Sequence, residues 1–168
     1  MNRYKLFSIF LCIAVLISDI SCTKKESKHC EKEIYLLPNE FSGIVLIYLN
    51  QKTGAPVEYE NGARLYRIPK SGILKSQFKK NGGCMSDNRI RFFYVDSLKK
   101  RKEIKYFLNL ENSKIPKKEK YVMLTFLPDK KDTTPFMIHL VGEISEFVEL
   151  TNAVKRMQPE EILKSLDP

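Results

Sequence analysis

The stretch that decides the fold lies at residues 34–78 and reads IYLLPNEFSGIVLIYLNQKTGAPVEYENGARLYRIPKSGILKSQF. Its apolar runs are short and rich in β-branched and aromatic residues, and Pro, Gly and Asn separate them, which is typical of strands joined by turns. Pro38 cannot donate a hydrogen bond to a sheet, so the first strand is expected to end there. Asn61-Gly62 tolerates positive φ at both positions and predicts a tight hairpin. Four or five strands in this stretch predict a meander.

Further strands are expected at residues 89–96, 103–110, 121–127 and 135–141, each bounded by polar or proline-containing segments. The spacing of about eight strands predicts an antiparallel β-sandwich of the transthyretin or immunoglobulin type. Residues 34–168 are therefore expected to form a single β-rich domain.

The apolar period changes near the C-terminus and predicts a helix over residues 143–157 that packs on the sheet. Its expected apolar face consists of Ile144, Phe147, Val148, Thr151 and Val154. Pro159 is suited to begin a second short helix over residues 159–166.

The central stretch also carries a set of structural motifs that resembles a known family. These motifs are Tyr35-Leu36-Leu37-Pro38, Phe41-Ser42-Gly43, Tyr59-Glu60-Asn61-Gly62-Ala63-Arg64-Leu65-Tyr66 and Ile68-Pro69-Lys70-Ser71-Gly72-Ile73-Leu74. They resemble small predicted lipoproteins of Bacteroidota that share a domain of unknown function. The resemblance implies an envelope location and a shared fold, and it carries over no catalytic residue.

The N-terminal segment has the three parts of a secretory signal peptide. Arg3 and Lys5 precede an apolar run at residues 6–17, and small or polar residues follow at 18–21. The run is shorter than the roughly 20 residues that a membrane-spanning helix needs. A signal peptide is therefore expected over residues 1–21.

Ile20-Ser21-Cys22 resembles the end of a bacterial lipobox, which implies that Cys22 receives the lipid and becomes the new N-terminus. Asp19 departs from that motif, because an apolar residue usually stands there. The alternative is an ordinary cleaved signal peptide that leaves Cys22 as a thiol or in a disulfide. Lipidation is the favoured interpretation.

Residues 22–33 are expected to form a polar, solvated tether between the anchor and the domain. By analogy with lipoprotein sorting, Thr23 lacks the Asp that favours retention in the inner membrane. Lys24 and Lys25 do not resemble the acidic signals for surface export in Bacteroidota. The expected location is the periplasmic face of the outer membrane.

Cysteine usage fits an oxidising compartment. Cys12 lies in the predicted signal peptide and Cys22 is the anchor candidate, so Cys30 and Cys84 remain. A disulfide between them is expected, and two free thiols are the alternative.

Catalytic and metal-binding motifs are not apparent in the sequence. His29 lies in the tether, while His139 lies in an apolar strand where a hydrogen-bonded core residue is expected. Neither histidine has metal-ligand neighbours at a suitable spacing. Glu58 and Glu60 share a strand face, but nothing in the sequence supplies a partner for acid–base chemistry. The sequence predicts no catalytic residue, no metal and no cofactor.

Basic loops are the distinctive surface signal in a chain of formal net charge +9. The candidate contacts with an anionic partner are Lys99, Lys100, Arg101, Lys102, Lys117 and Lys118. The favoured interpretation is a solvated set of turns and edges that resists aggregation. The alternative is a patch that meets phospholipid, lipopolysaccharide or an acidic glycan. Export from the cytoplasm argues against nucleic acid.

The sequence therefore predicts a lipid-anchored envelope protein with a non-catalytic binding or accessory role. Two alternatives stay open: an immunity or inhibitor lipoprotein that binds a protein partner, and a hydrolase with an unrecognised site.

Overall fold

The computed structural model describes residues 30–81, 89–107, 118–125 and 134–166. Ten strands lie in these residues. They are β1 (Lys32–Pro38), β2 (Gly43–Tyr48), β3 (Tyr59–Glu60), β4 (Ala63–Arg67), β5 (Ile73–Lys75), β6 (Ile90–Val95), β7 (Arg101–Ile104), β8 (Tyr106–Phe107), β9 (Tyr121–Thr125) and β10 (Phe136–Gly142). A 3₁₀ turn (Ile144–Glu146) and two helices, α1 (Phe147–Arg156) and α2 (Pro159–Ser165), follow.

The strands form two five-stranded sheets, which confirms the mainly β, sandwich-like prediction. The first sheet has the order β3-β4-β1-β6-β7, and the second has the order β5-β2-β10-β9-β8. That the two layers follow the transthyretin or immunoglobulin arrangement stays a prediction.

The antiparallel prediction is wrong, because both sheets are mixed. β1 runs parallel to both of its neighbours, β4 and β6, while β2 pairs parallel with β5 and β8 with β9. The predicted meander is also wrong, because β1 and β2 belong to different sheets. Between them the chain turns through positive φ at Glu40 and Gly43, which redirects it into the second layer.

Two local predictions from the central stretch are confirmed. β1 ends at Pro38, as the missing donor requires. β3 and β4 pair as an antiparallel hairpin through Asn61 and Gly62, whose φ values are 49° and 75°. Positive φ at both positions is the signature of a type I′ turn, which matches the twist of the flanking strands.

The main core lies between the two sheets and is largely aromatic on the side of the first sheet. Tyr35 on β1 stacks between Tyr66 on β4 and Phe92 on β6, with ring centroids 4.9 Å and 4.6 Å apart. The same alternation along β1 turns Ile34 and Leu36 to the opposite face, where they are also buried. β1 therefore buries apolar side chains on both faces.

A second apolar layer joins the second sheet to the C-terminal helices, which confirms the predicted C-terminal helix. Phe147 is fully buried there among Leu46, Tyr48 and Leu140. The Tyr48 hydroxyl donates a 2.5 Å hydrogen bond to the Pro159 carbonyl and so fixes the start of α2.

The predicted apolar face of the helix needs one correction. The side chain of Val148 is 68% exposed, and Leu150 packs against the sheet instead. Phe147, Leu150 and Val154 follow the i, i+3, i+7 spacing of one helical stripe, whereas Val148 lies beside it. No helix within the described residues is long and apolar enough to cross a bilayer.

Replacing Gly72 by alanine is expected to lower the free energy of unfolding by about 2–4 kcal/mol. Gly72 has φ of +76°, and a Cβ there would collide with the carbonyl oxygen of Ile44. Gly62 has nearly the same φ, +75°, but open space around it, so Gly62→Ala should cost only about 1–2 kcal/mol. Urea unfolding of both variants measures the difference. Equal losses of unfolding free energy in the two variants would show that Gly72 does not pack closely against the Ile44 carbonyl in solution.

Candidate functional site

A cavity of about 420 Å³ lies between the β7 edge of the first sheet and the β8–β9 side of the second. Charged residues dominate its lining. The lining consists of Lys102, Lys105, Lys118, Lys120, Glu40, Glu103, Glu119, Glu143, Tyr94, Ile104 and Tyr121. The cavity lies toward the end of the sandwich where β1 ends and β2 begins, because Glu40 follows β1 and Tyr121 pairs with the last residue of β10.

Most of the glutamates in the lining already accept hydrogen bonds from the protein. The carboxylate of Glu103 accepts two from Arg91, at 2.9 Å and 3.0 Å. The carboxylate of Glu119 accepts one from the Tyr121 hydroxyl at 2.9 Å. Lys120 donates to the Glu40 carbonyl at 2.8 Å and to its carboxylate at 3.4 Å. Arg91 offsets the charge of Glu103 and Lys120 offsets that of Glu40, whereas Glu119 and Glu143 form no ion pair within the described residues.

The remaining lysines are not neutralised in this way. Within the part of the chain that the structure describes, the ammonium groups of Lys102, Lys105 and Lys118 have neither a hydrogen bond nor an ion pair. Three unpaired cations therefore line one cavity. Against these three lysines stand the carboxylates of Glu119 and Glu143, so the lining keeps an excess of one positive charge, which favours an anionic ligand.

The register of β7 explains how Lys102 reaches the cavity. Lys102 lies directly opposite Tyr94 on β6 and shares its face of the sheet with Ile104. Arg101 and Glu103 lie on the other face, because successive residues of a strand point to opposite sides. The Tyr94 hydroxyl donates to the Phe41 carbonyl at 2.8 Å, and burial raises its pKa to about 12. Tyr94 is therefore a neutral wall of the cavity.

Lys105 marks the point where the chain leaves the first sheet for the second. The predicted single strand at residues 103–110 is wrong, since β7 ends at Ile104 and β8 begins at Tyr106 in the other sheet. The Lys105 carbonyl accepts a 3.0 Å hydrogen bond from the Val122 amide of β9. This crossover brings the end of β7 next to β9.

The turn between β6 and β7 holds Lys99 and Lys100 away from the cavity. Asp96 closes the turn, and its carboxylate accepts hydrogen bonds from the amides of Leu98 and Lys100 at 2.9 Å and 2.8 Å. Lys99 has φ of 62°. Both lysines are exposed at the tip. The tip is shorter than predicted, because Arg101 and Lys102 belong to β7.

Arg101 does not join the other candidate contacts. It forms a two-bond ion pair with Glu60, at 2.5 Å and 2.8 Å, on the face of the first sheet that points away from the sandwich interior. Glu58 pairs in the same way with Arg67 on that face. The arginine hydrogen bonds hold the pKa values of Glu58 and Glu60 below the usual range. These carboxylates are charged at neutral pH and are not among the residues that line the cavity.

His139 has a core position, but it is not hydrogen-bonded as expected. The residue is 6% exposed, and its ring meets those of Tyr35 and Phe92 edge-on at 5.0 Å and 5.4 Å. Within the described residues, neither ring nitrogen has a hydrogen-bond partner. Burial lowers its pKa to about 4, so the imidazole is neutral at pH 7.

The structure therefore unites some of the predicted contacts and separates others. Lys102 and Lys118 line one cavity, whereas Lys117 lies outside the described residues. Lys105 and Lys120 were missed as contacts, although Lys120 lies in the segment between the predicted strands at 103–110 and 121–127. Cys22 and Cys84 also lie outside the described residues, and Cys30 is buried next to β1.

Comparison with known proteins gives one family. Residues 29–132, more than half of the chain, match a family of unknown function (DUF6843). The chain belongs to this family. No curated protein matches the sequence. The chain is also similar in structure to a Bacillus anthracis protein that is provisionally described as a lipoprotein and was solved by crystallography. The two sequences are 14% identical and the TM-score is 0.48. The match covers 69% of this chain and 73% of the Bacillus anthracis chain.

Proposed function

We propose that this chain is a lipid-anchored protein of the cell envelope with a non-catalytic binding role, and that its cavity receives an anionic group of an envelope partner. The observation that carries the proposal is that three lysines without an ion pair in the described structure, Lys102, Lys105 and Lys118, line one cavity. Lysine provides a compact, mobile positive charge, and its ammonium group can donate hydrogen bonds to phosphate or carboxylate without a fixed bidentate geometry. The cavity therefore fits a small anionic group.

The carboxylates of the first sheet support a binding role over the hydrolase alternative. Glu58 and Glu60 were the acid–base candidates in the sequence, and each is held by an arginine with a lowered pKa. A general acid needs a pKa near the working pH, which these contacts oppose. A flat, exposed apolar patch would favour the immunity alternative. The exposed large apolar side chains of the described residues are instead scattered over the turns, strands and helices: Val57, Tyr59, Leu98, Val148 and Leu166.

The proposed location is the periplasmic face of the outer membrane, with lipid on Cys22 and a disulfide between Cys30 and Cys84. Burial of Cys30 suits a bridged cysteine. The intact mass of the natively purified chain, alkylated without reductant, should correspond to residues 22–168 plus acyl chains, with both cysteines unalkylated. An unprocessed chain with alkylated cysteines would contradict both the anchor and the bridge.

The double substitution Lys102→Glu and Lys118→Glu is expected to weaken binding of inorganic polyphosphate or polyglutamate at least tenfold. Each change replaces an unpaired cation at the cavity by an anion, so the site repels the ligand and the salt dependence of binding falls. Titration calorimetry at two salt concentrations measures both effects.

The matched control is Lys99→Glu with Lys100→Glu, which makes the same change of net charge at the exposed tip. This variant should bind within about threefold of the natural chain, since only the general field changes. Equal losses in the two variants would show diffuse attraction and no site. Unchanged circular dichroism of both variants excludes unfolding as the cause.

A further inference from the structure

We infer that the cavity opens at the end of the domain opposite the lipid anchor, so that its anion belongs to a molecule outside the anchoring leaflet. This inference rests on the proposed function and specifies the source of the ligand. It depends on where the chain enters the fold and on the direction of the first strand.

The point of entry is fixed by a polar cluster just before β1. Glu31 is ion-paired with Arg64 of β4, and the Arg64 Nε donates to its carboxylate at 2.6 Å. Asn81 holds the backbone of Glu31 on both sides, accepting from its amide at 3.1 Å and donating to its carbonyl at 2.8 Å. Arg89 donates to the Cys30 carbonyl at 2.7 Å. The chain therefore enters at one defined end of the first sheet.

β1 then carries the chain to the opposite end. Its seven residues, Lys32–Pro38, span about 20 Å at roughly 3.3 Å per residue. Lys32 pairs with Ala63 beside the Asn61-Gly62 hairpin at the entry end, whereas Pro38 pairs with Val95 next to the β6–β7 turn. Glu40 and Lys102 line the cavity beyond Pro38 and opposite Tyr94. Along β1 the cavity and the entry point thus lie at different ends of the sheet, and the Glu60–Arg101 ion pair bridges these ends on the outer face.

The tether favours keeping the entry end at the membrane. Only seven residues, 23–29, separate the predicted anchor at Cys22 from Cys30. Three of them, Lys24, Lys25 and Lys28, are basic and would be attracted to an anionic leaflet, at about 1 kcal/mol each near the surface. Lys32 and Lys79 are exposed beside the entry point and add to the same attraction. Turning the cavity toward the leaflet would require the tether to run along the whole domain.

The ligand chemistry is therefore a phosphate or carboxylate on a molecule that approaches from the aqueous side. Lipid headgroups of the anchoring leaflet share this chemistry but lie at the wrong end of the domain. A soluble or wall-borne anion can reach the cavity without displacing the anchor.

The first test measures orientation. The full mature chain, purified with its lipid, is reconstituted in vesicles of phosphatidylcholine and anionic phosphatidylglycerol that contain a lipid-borne quencher. A fluorophore is attached through Asn61→Cys at the entry end or Leu98→Cys at the far end, where Leu98 is 74% exposed. The parent chain, treated in the same way, gives the background labelling of its own cysteines. We expect at least threefold stronger quenching at position 61; equal or stronger quenching at position 98 overturns the inference.

The second test measures access. Polyphosphate should bind the vesicle-anchored chain and the detergent-solubilised chain with dissociation constants within about threefold of each other. A loss of tenfold or more on anchoring shows that the leaflet covers the cavity, and overturns the inference alone. Failure to bind in both settings contradicts the proposed function, while the orientation measurement still decides where the cavity end lies. A mature chain that carries no lipid contradicts the anchor and the inference together.

Discussion

Replacing Phe147 by alanine is expected to lower the free energy of unfolding by about 3–5 kcal/mol. Phe147 is the first residue of α1 and is 0% exposed. It packs on Leu46 and Leu140 of the second sheet and meets the Phe107 ring edge-on at 5.4 Å. Truncation removes the transfer free energy of the ring and leaves a cavity between helix and sheet, because backbone elements on both sides prevent collapse.

Val148 supplies the matched control in the next position of the same helix. Its side chain is 68% exposed, so Val148→Ala should change stability by less than about 0.5 kcal/mol. Urea unfolding followed by circular dichroism measures both variants, with a common slope required for the comparison. A Phe147→Ala loss as small as that of Val148→Ala would show that α1 is not docked on the sheet in solution.

This pair also shows how far periodicity could predict the helix. The period predicted the existence and the position of the C-terminal helix, because apolar residues recur at helical spacing. It could not decide whether Val148 or Leu150 is buried, since both are apolar and lie at or next to the buried stripe of the helix. The contact with the second sheet decides between them.

Most strand positions were predictable for the same reason, although the predicted strand at 103–110 is divided between two sheets, whereas strand pairing was not predictable. The Asn61-Gly62 hairpin is determined by two residues with positive φ and needs no other part of the chain. The parallel pairing of β1 with β4 and β6 joins segments about 30 and 60 residues apart. Such pairings depend on the whole set of buried faces, so a local pattern cannot choose between parallel and antiparallel neighbours.

The cavity was only partly predictable because its lysines come from different sheets. Lys102 and Lys118 belong to two basic runs of the sequence, but their common location depends on the crossover at Lys105. Arg101 adjoins Lys102 in sequence and yet points to the other face of β7, where Glu60 binds it. The register with β6 determines this division, and the register is not evident from a single basic run.

Acidification from pH 7 to pH 4 is expected to lower the free energy of unfolding by about 3 kcal/mol through His139 alone. Burial lowers the pKa of His139 from 6.5 to about 4 in the folded protein. Between these two values the unfolded chain binds a proton and the folded protein does not. Stability therefore rises with pH across this window and is lost as the pH falls through it.

The variant His139→Leu should remove this part of the pH dependence and raise stability at neutral pH. The imidazole nitrogens are buried without a hydrogen-bond partner in the described structure, which costs about 1–3 kcal/mol that an apolar side chain avoids. Leucine has a similar volume and faces the aromatic rings of Tyr35 and Phe92.

Denaturant unfolding of the natural chain and of His139→Leu at pH 4.5, 5.5, 6.5 and 7.5 tests both statements. The arginine-paired carboxylates of Glu58, Glu60 and Glu103 have pKa values lowered from 4.5, so they contribute mainly below this range and equally in both proteins. The difference between the two stability curves should therefore widen steadily as the pH falls below 6.5. Parallel curves would mean that the imidazole takes up its proton equally well in the folded and unfolded states. That result would mean that His139 contacts water or an anion in the folded protein. It would contradict the burial of its ring among Tyr35 and Phe92.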